Sequence, residues 1–206
     1  MATDFPKIKS PFVRAYKIND WGQEAYVVTP DIEPGYEWVF EDPNVIAVEK
    51  LDGTNVSVVI RDGRIQSIWN RTSEIPFFNR GKGFIIQGIL KAFDRGYLDL
   101  PDGQHFGELI GPKVNGDKYQ LSDHIWVPFN TYCHEHLCYK SWGKYQKDFV
   151  TISNWFHQDI FSLYFCRLHK GVKMFPEGVV FYHPDGRMAK LRRDMFPWCG
   201  GKQHKE

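Results

Sequence analysis

Residues 45–69 read VIAVEKLDGTNVSVVIRDGRIQSIW, and the strand and hairpin patterns in this stretch decide the fold class. The segment 45–50 is rich in β-branched residues and ends in polar ones, which predicts a strand. The segment 55–69 has two β-branched runs around Asp62-Gly63, a dipeptide suited to a tight type I′ turn. The sequence therefore predicts a strand, a short turn and a β-hairpin in immediate succession.

Further strand signals lie along the rest of the chain. A second hairpin is predicted over 177–193, with its turn at Pro184-Asp185-Gly186. Single strands are predicted over 104–111 and 124–132. The first 45 residues are rich in Pro, Gly and Asp, and predict loops with short strands.

Two predicted helices interrupt these strands. Between Gly83 and Gly96 the apolar residues recur with helical spacing, and they are Ile85, Ile86, Ile89, Leu90 and Phe93. A second helix is predicted to begin at Ser153 or Asn154 and to end near Gly171. Its apolar face would carry Trp155, Phe156, Ile160, Leu163 and Tyr164. Hairpins interrupted by two helices favour an α+β fold, with antiparallel sheets flanked by helices.

Composition limits the class of protein. The chain has 206 residues, 42% hydrophobic and 25% charged, which is typical of a folded globular protein. No Pro-, Gly- or Ser-rich linker divides it, so we expect a single domain over 1–206, with its motif-bearing core at about 45–195. The formal net charge is only +1, which excludes a strongly basic coat. The segment 186–206 nevertheless has a net charge of +4, which favours a polyanion surface there.

Nothing in the sequence indicates membrane insertion or export. No apolar run approaches the 18 residues of a membrane span, and the N-terminus has no signal-peptide pattern. The four scattered cysteines fit reduced thiols. We therefore expect a protein of the cytoplasm, or of the infected-cell cytoplasm if it is viral, with no membrane partner.

The turn after the first strand carries Lys50-Leu51-Asp52-Gly53, a K-x-D-G string. Average composition gives such a string by chance in about one chain in twenty-five of this length, so it is weak alone. Other short motifs follow it in order, and these are Arg71-Thr72, Phe106 to Gly111, Ile125 to Phe129, Glu177 to Phe181 and Ala189 to Arg192. The ordered set resembles the covalent nucleotidyltransferase superfamily of ATP-dependent ligases and capping enzymes.

Within that superfamily the sequence is most similar to the branch that seals nicks in duplex RNA. That branch carries E-K-x-x-G-T-N around the lysine, R-T on the next strand and F-G-E-x-x-G-P at a glutamate. The agreement here covers Glu49-Lys50, Gly53-Thr54-Asn55, Arg71-Thr72 and Phe106 to Pro112. The Thr54-Asn55 pair favours an RNA ligase over a DNA ligase, which more often has a different continuation.

The resemblance implies a role for each matching residue. Lys50 would be the catalytic nucleophile that attacks the α-phosphate of ATP, and like charge from Lys190 and Arg192 would favour its neutral amine. Glu108 would accept hydrogen bonds from ribose hydroxyls, and Phe129 would stack on adenine. Mg²⁺ or Mn²⁺ would be held by Glu177 and Glu108, directly or through water. The full nucleotide-binding set is Glu49, Leu51, Asn55, Arg71, Glu108, Phe129, Glu177, Lys190 and Arg192.

Taken singly, these residues have ordinary interpretations. Glu108 and Glu177 fit surface acids, Phe129 fits a core residue, and the basic run 187–193 fits a solvated face. Their order along the chain favours a site instead.

The expected partner is RNA with 5′-phosphate and 3′-hydroxyl ends, as a nicked duplex. Only 14 residues follow Arg192, so this sequence has no room for the OB domain that many relatives carry. The basic run 187–193 would then contact the RNA phosphates. A protein that replaces the missing domain is not identified by the sequence.

Two alternatives stay open. One is a DNA ligase or an mRNA-capping-type guanylyltransferase on the same scaffold. The other is a non-catalytic nucleic-acid-binding domain derived from a ligase. A metal site also stays open at Cys133, His134, His136 and Cys138, whose spacing is not that of a common zinc finger.

Overall fold

The chain divides into two compact units in a computed structural model that describes residues 2–77 and 80–199. The first unit comprises residues 1–7 and 51–136, and the second comprises 8–50 and 137–206. Both units are discontinuous in sequence, because the chain crosses between them after residues 7, 50 and 136. Such a division leaves no single linker, and a sequence search for a boundary between consecutive domains does not detect it.

The described strands form three sheets in which every pairing is antiparallel. The strands are β1 Phe12–Ile18, β2 Glu24–Ile32, β3 Ile46–Lys50, β4 Thr54–Arg61, β5 Arg64–Asn70, β6 Ser73–Glu74, β7 Gly103–Ile110, β8 Ile125–Pro128, β9 Gly178–Tyr182 and β10 Met188–Arg192. The helices are α1 Trp38–Glu41, α2 Gly83–Asp94, α3 His134–His136, α4 Phe149–Asn154 and α5 Leu163–Leu168. These elements confirm the predicted α+β class with antiparallel sheets.

The first unit is built on a five-stranded sheet in the order β6-β5-β4-β7-β8. Its central hairpin, β4 and β5, turns at Asp62 and Gly63, whose φ angles of 50° and 65° fit a type I′ turn. Helix α2 packs on β8 and β7. The predicted hairpin and its turn residues are therefore confirmed.

Helix α2 exists where it was predicted, but part of its predicted apolar face was wrong. Its buried positions are Ile85, Gly88, Ile89 and Ala92, while Leu90 and Phe93 are exposed. The buried stripe follows the i, i+3, i+4, i+7 spacing, which small residues can occupy as well as large ones. The prediction weighted large apolar side chains and missed the glycine and the alanine.

The second unit contains the three-stranded sheet β10-β9-β3 and the separate hairpin of β1 and β2. One side of the three-stranded sheet enters a core that is rich in aromatic rings, including Trp155, Phe156, Phe181 and Phe196. The hairpin of β9 and β10 is confirmed, and Gly186 in its turn has a φ of 93°. Residues 1–45, which were predicted as loops with short strands, contain the strands β1 and β2 of seven and nine residues, longer than expected.

Two other predicted elements were wrong in detail. The helix predicted from Ser153 to Gly171 is divided into α4, a π-helical turn Trp155–Asp159 and α5. The side chains of Asp148 and Ser162 cap α4 and α5 by accepting hydrogen bonds from Thr151 N and Phe165 N, so each begins at its own capping residue. The strand predicted over 124–132 ends at Pro128, after which Phe129–Cys133 forms a π-helical turn.

His183 ties the turn between β9 and β10 to the end of α1. The Nε2 atom of His183 lies 2.9 Å from Asp42 Oδ2, and its Nδ1 atom lies 2.8 Å from Asp185 Oδ1. Hydrogen bonds to Asp42 and then Asp185 raise the pKa of His183. A hydrogen bond from the Arg187 backbone lowers the pKa of Asp185 to about 2, and one from the Asn44 backbone lowers the pKa of Asp42. These side-chain contacts therefore link the turn between β9 and β10 to the residue that ends α1.

None of the described helices combines the length and the apolar composition of a membrane span, and the longest of them, α2, has 12 residues.

Candidate active site

One end of the three-stranded sheet in the second unit carries Lys50 and Arg192. Register pairs Lys50 of β3 with Gly178 of β9, and Arg192 of β10 with the same glycine. Directly paired residues of antiparallel strands project to the same face, so both cations lie on the face of the sheet away from the aromatic core. A Cβ on Gly178 would lie 2.3 Å from the carbonyl oxygen of Leu191, and only glycine permits this close approach.

The carboxylate of Glu177 lies between these two cations. Its Oε2 is 2.5 Å from Lys50 Nζ, and its Oε1 is 3.8 Å from Arg192 Nη1. Arg192 also forms an ion pair with Asp194, with 3.0 Å between Nε and Oδ1. The side chains of Lys50 and Glu177 are 23% and 20% exposed, so a ligand in solvent can reach them. Glu177 therefore contacts two other residues that the sequence predicted for the site.

Lys190 shares the face of Lys50 and Arg192. It stands two residues before Arg192 on β10 and pairs with Val180, whose side chain is on the same face. Its backbone N–H donates to the carbonyl oxygen of Lys9 at 2.8 Å. The alternate residues of the same strand, Ala189 and Leu191, are buried in the aromatic core. Strand alternation thus presents both basic residues of the Lys-Leu-Arg motif on one side.

Glu49 points to the opposite face of β3 from Lys50. It pairs with Val179 of the core and is only 2% exposed. Its carboxylate accepts a hydrogen bond from Ser162 Oγ at 2.5 Å and one from the backbone N–H of Tyr164 at 2.9 Å. A buried carboxylate requires such partners. The structure therefore gives Glu49 the position of an anchor for the start of α5.

In the first unit, Asn55 and Glu108 are direct neighbours. Register pairs Asn55 of β4 with Glu108 of β7, and Glu108 with Val127 of β8. The side chain of Glu108 is buried, while that of Asn55 is half-buried. A Cβ on Gly53 would lie 2.3 Å from the carbonyl oxygen of Leu109, so this glycine lets the turn approach β7 closely. Asn55 and Glu108 thus form one row across adjacent strands.

Arg71 and Phe129 were both assigned to strands, and neither lies on one. Arg71 is exposed in the two-residue turn between β5 and β6, with a φ of 53°. Because Val56 pairs with Asn70, this turn stands at the end of the sheet that carries Asn55. Phe129 follows Pro128 in the π-helical turn, and its ring centroid is 5.2 Å from that of Phe5.

Asp52 is a residue of the K-x-D-G motif whose role the sequence did not indicate. Its carboxylate accepts from Asn115 Nδ2 at 2.7 Å and lies 3.1 Å from Lys118 Nζ. Its backbone N–H donates to the hydroxyl of Tyr119 at 2.8 Å. The preceding residue, Leu51, is buried. These contacts fix the turn that follows Lys50 within the first unit.

The described residues contain no group of three or more His, Cys, Asp or Glu side chains that could hold a metal ion. This applies to the cysteine and histidine residues at 133–138, where burial lowers the pKa of His134. It also applies to Glu177, whose carboxylate contacts two cations. A divalent cation near these residues would therefore need most of its ligands from a bound substrate and water, as Mg²⁺ commonly takes from nucleotide phosphates.

Comparison with protein-family models and with curated protein sequences gave no match. Solved structures of similar fold exist among ATP-utilising RNA ligases. A structure of Naegleria gruberi RNA ligase with PPi matches with a TM-score of 0.51 and 16% identity, over 91% of this chain and 61% of that chain. A variant of the same enzyme with ATP and Mn matches with a TM-score of 0.50, the same identity and the same coverage.

This likeness confirms the predicted resemblance to RNA ligases at the level of the fold. The chain spans about three fifths of the length of these ligase chains, 61% in both cases. At 16% identity the match carries no assignment of individual residues.

Proposed function

We propose that this protein is an ATP-dependent RNA ligase that works through a lysyl-AMP intermediate. The observation that carries the proposal is the contact of Lys50 with Glu177 beside Arg192, because three separate sequence motifs supply these three residues. The RNA ligase fold supports it independently. The Asn55–Glu108 row of the first unit, which comes from two further motifs, agrees with it.

In the first step the amine of Lys50 attacks the α-phosphorus of ATP. A bond forms between Nζ and phosphorus, the bond from phosphorus to the bridging oxygen breaks, and pyrophosphate leaves. The amine must first lose a proton, and Glu177 is the carboxylate to which Lys50 Nζ donates. Arg192 and Lys190, on the same face of the sheet, would bind the phosphates.

In the second step an oxygen of an RNA 5′-phosphate attacks the same phosphorus, and the bond to Lys50 breaks. In the third step a 3′-hydroxyl attacks the 5′-phosphate, the strands are joined and AMP leaves. Glu108 and Asn55 would bind the ribose, Phe129 the adenine, and Arg71 a phosphate. Leu51 holds the turn after the nucleophile, and Glu49 positions the strand end rather than touching the nucleotide. The substrate would be a nicked RNA duplex, in RNA repair in the cytoplasm.

The expected cofactors are ATP and Mg²⁺ or Mn²⁺. When bound, the ion would neutralise charge on the phosphates of ATP. Glu177 and Glu108 are the carboxylates proposed to hold it, directly or through water. Two carboxylates suffice where the substrate phosphates provide the other ligands.

The direct test is the mass of the purified protein after incubation with ATP and Mg²⁺. The wild type should gain the mass of one AMP, and Lys50→Ala should not, whereas Lys140→Ala, a change at an exposed lysine of the same unit, should behave as wild type. Lys50→Ala should still join a strand that carries a preformed 5′-adenylate, since the third step does not use the amine.

Each alternative predicts a different result. An adduct with GTP in place of ATP would favour a guanylyltransferase, and sealing of DNA nicks in preference to RNA nicks would favour a DNA ligase. A folded wild-type protein that forms no adduct with either nucleotide would refute the proposed function and leave a nucleic-acid-binding domain.

A further inference from the structure

The basic run 187–193, which was expected to contact RNA, is largely occupied by contacts within the protein. Arg187 pairs with Asp185, with 2.7 Å between Nε and Oδ2, and stacks over Trp38. Arg192 pairs with Glu177 and Asp194. The guanidinium of Arg193 donates to the carbonyl oxygen of Phe156. These arginines would have to give up internal partners in order to bind phosphates.

A different segment of the second unit offers exposed positive charge. The chain has no Asp or Glu between Asp159 and Glu177, and within this interval residues 167–175, here named the basic segment, read RLHKGVKMF. Its cations Arg167, Lys170 and Lys173 are all exposed. A cluster of exposed cations without acids favours binding of a polyanion.

Aromatic rings hold the C-terminal end of this surface in place. Lys173 Nζ lies 4.5 Å from the ring centroid of Phe161, and the rings of Phe161 and Phe175 are stacked with 5.2 Å between centroids. The guanidinium of Arg193 lies over the ring of Phe175, 3.8 Å from its centroid. The stack therefore positions a lysine and an arginine by cation–π contacts, which reduces the side-chain freedom lost when a ligand binds.

The basic segment is linked to Lys50 along the chain and by hydrogen bonds within the same unit. It ends two residues before Glu177, which contacts Lys50. Ser162 donates from its backbone N–H to Met174 O, within the basic segment, at 2.7 Å, and from its hydroxyl to Glu49 on the buried face of β3, so the segment is fixed to the strand that ends at Lys50. The exposed cations therefore belong to a segment that leads directly into the residue in contact with Lys50.

We infer that the basic segment binds the phosphodiester backbone of the RNA strand whose end reacts at Lys50. This inference rests on the proposed function for the identity of the ligand. It assigns the main RNA contact to Arg167, Lys170 and Lys173 instead of the basic run 187–193.

The test measures how RNA binding depends on salt, with no ATP present. Each phosphate contact on a single strand contributes roughly 0.7 to the slope of log affinity against log salt. Three contacts predict a slope of about −2.1, so the affinity of a fluorescein-labelled, 5′-phosphorylated single-stranded RNA should fall about eighteenfold from 50 to 200 mM salt. Replacing Lys170 and Lys173 together by alanine should reduce the slope to about −0.7 and the loss to about threefold.

The matched control is the double change Lys140→Ala and Lys144→Ala, which removes the same charge from exposed lysines of the same unit outside the basic segment. It should keep the wild-type slope. Both double variants should stay folded at low urea, since all four lysines are exposed, and loss of the Lys173 contact with Phe161 should lower the urea midpoint of its variant only slightly.

The outcomes separate the inference from the proposed function. Equal slopes for the wild type and the Lys170 and Lys173 double variant would overturn the inference, and so would an equal reduction in both double variants. Binding of phosphatidylserine vesicles that depends on the same two lysines, with RNA binding unchanged, would also overturn it in favour of a membrane surface. Failure of the wild type to form an AMP adduct would refute the proposed function, while the salt slopes would still report on the basic segment.

Discussion

Replacing Glu49 by alanine distinguishes an anchor of the protein core from a ligand of the nucleotide. The carboxylate is buried and accepts hydrogen bonds from the Ser162 hydroxyl and the Tyr164 backbone N–H. Both donors belong to the start of α5, and both are buried. Removal of Glu49 therefore leaves two buried donors without their present acceptor.

The expected loss follows from these contacts. Each buried polar group left unsatisfied costs about 1–3 kcal/mol. Removing the carboxylate also relieves the cost of burying its charge, which offsets part of that loss. We expect a net decrease of about 2 kcal/mol in the free energy of unfolding, which for a chain of this size lowers the melting temperature by about 4–8 °C. Glu49→Gln keeps an acceptor for Tyr164 and should lose less than about 1 kcal/mol.

The assay combines urea unfolding with hydrogen exchange over residues 162–168. Exchange is needed because a chain with two compact units need not unfold in one transition. In Glu49→Ala the amides of Tyr164 and Phe165 should exchange faster than in wild type, whereas Glu24→Ala, a change at an exposed strand residue, should alter neither measurement. Wild-type unfolding and exchange in Glu49→Ala, together with loss of the AMP adduct, would refute the anchoring role and return Glu49 to the nucleotide site.

Three further predictions follow from single features of the structure. Arg71 has a φ of 53°, which costs a non-glycine residue about 1 kcal/mol. Arg71→Gly should therefore have a higher melting temperature than Arg71→Ala, while both variants lose adenylation. Equal melting temperatures of the two variants would contradict the strain argument. Gly178→Ala should lower the free energy of unfolding by about 1–3 kcal/mol and reduce adenylation, since its Cβ would meet Leu191 O; a variant as stable as wild type in urea would show that the strands can separate. The pKa of His183 is raised above its usual 6.5, so its charged pairs stabilise the fold below pH 6.5 and lose this contribution as the pH rises through the pKa of the folded state. Its partners Asp42 and Asp185 have lowered pKa values and stay ionised over that pH range. Wild-type thermal stability should therefore fall across that range while that of His183→Gln stays flat, and parallel curves would exclude the contribution.

The hairpins could be predicted from the sequence because their signals are local. Asp62-Gly63 and the turn ending at Gly186 require backbone conformations that few other residues adopt, and both turns form as predicted. The division of the helix after residue 153 depends on Ser162, whose hydroxyl both caps α5 and donates to Glu49, 113 residues earlier in the chain. A pattern read along one segment cannot detect a partner so distant.

The sequence predicted some residues of the candidate site correctly as neighbours and gave others a role that the structure does not support. The order of the motifs led to Lys50, Glu177 and Arg192, which the structure brings into contact. The alternation of side chains along a strand was the signal for a different role of Glu49, since adjacent residues 49 and 50 project to opposite faces. The anchoring of Asp52 by the stretch 115–119 depends on tertiary structure, and no spacing in the sequence indicates it.

The position of Glu177 bears on how the nucleotide would enter. Without ligand, this carboxylate supplies the negative charge that Lys50 needs at 2.5 Å and contacts Arg192 more loosely at 3.8 Å. Phosphates of ATP carry the same sign as Glu177 and would compete with it for both cations, and the longer contact is the weaker by distance. On the proposed function, Arg192 therefore turns to the phosphates first, while Glu177 keeps the proton-bearing amine of Lys50 in place until it is deprotonated. On that proposal, the carboxylate that now pairs with Lys50 would also orient the attacking amine.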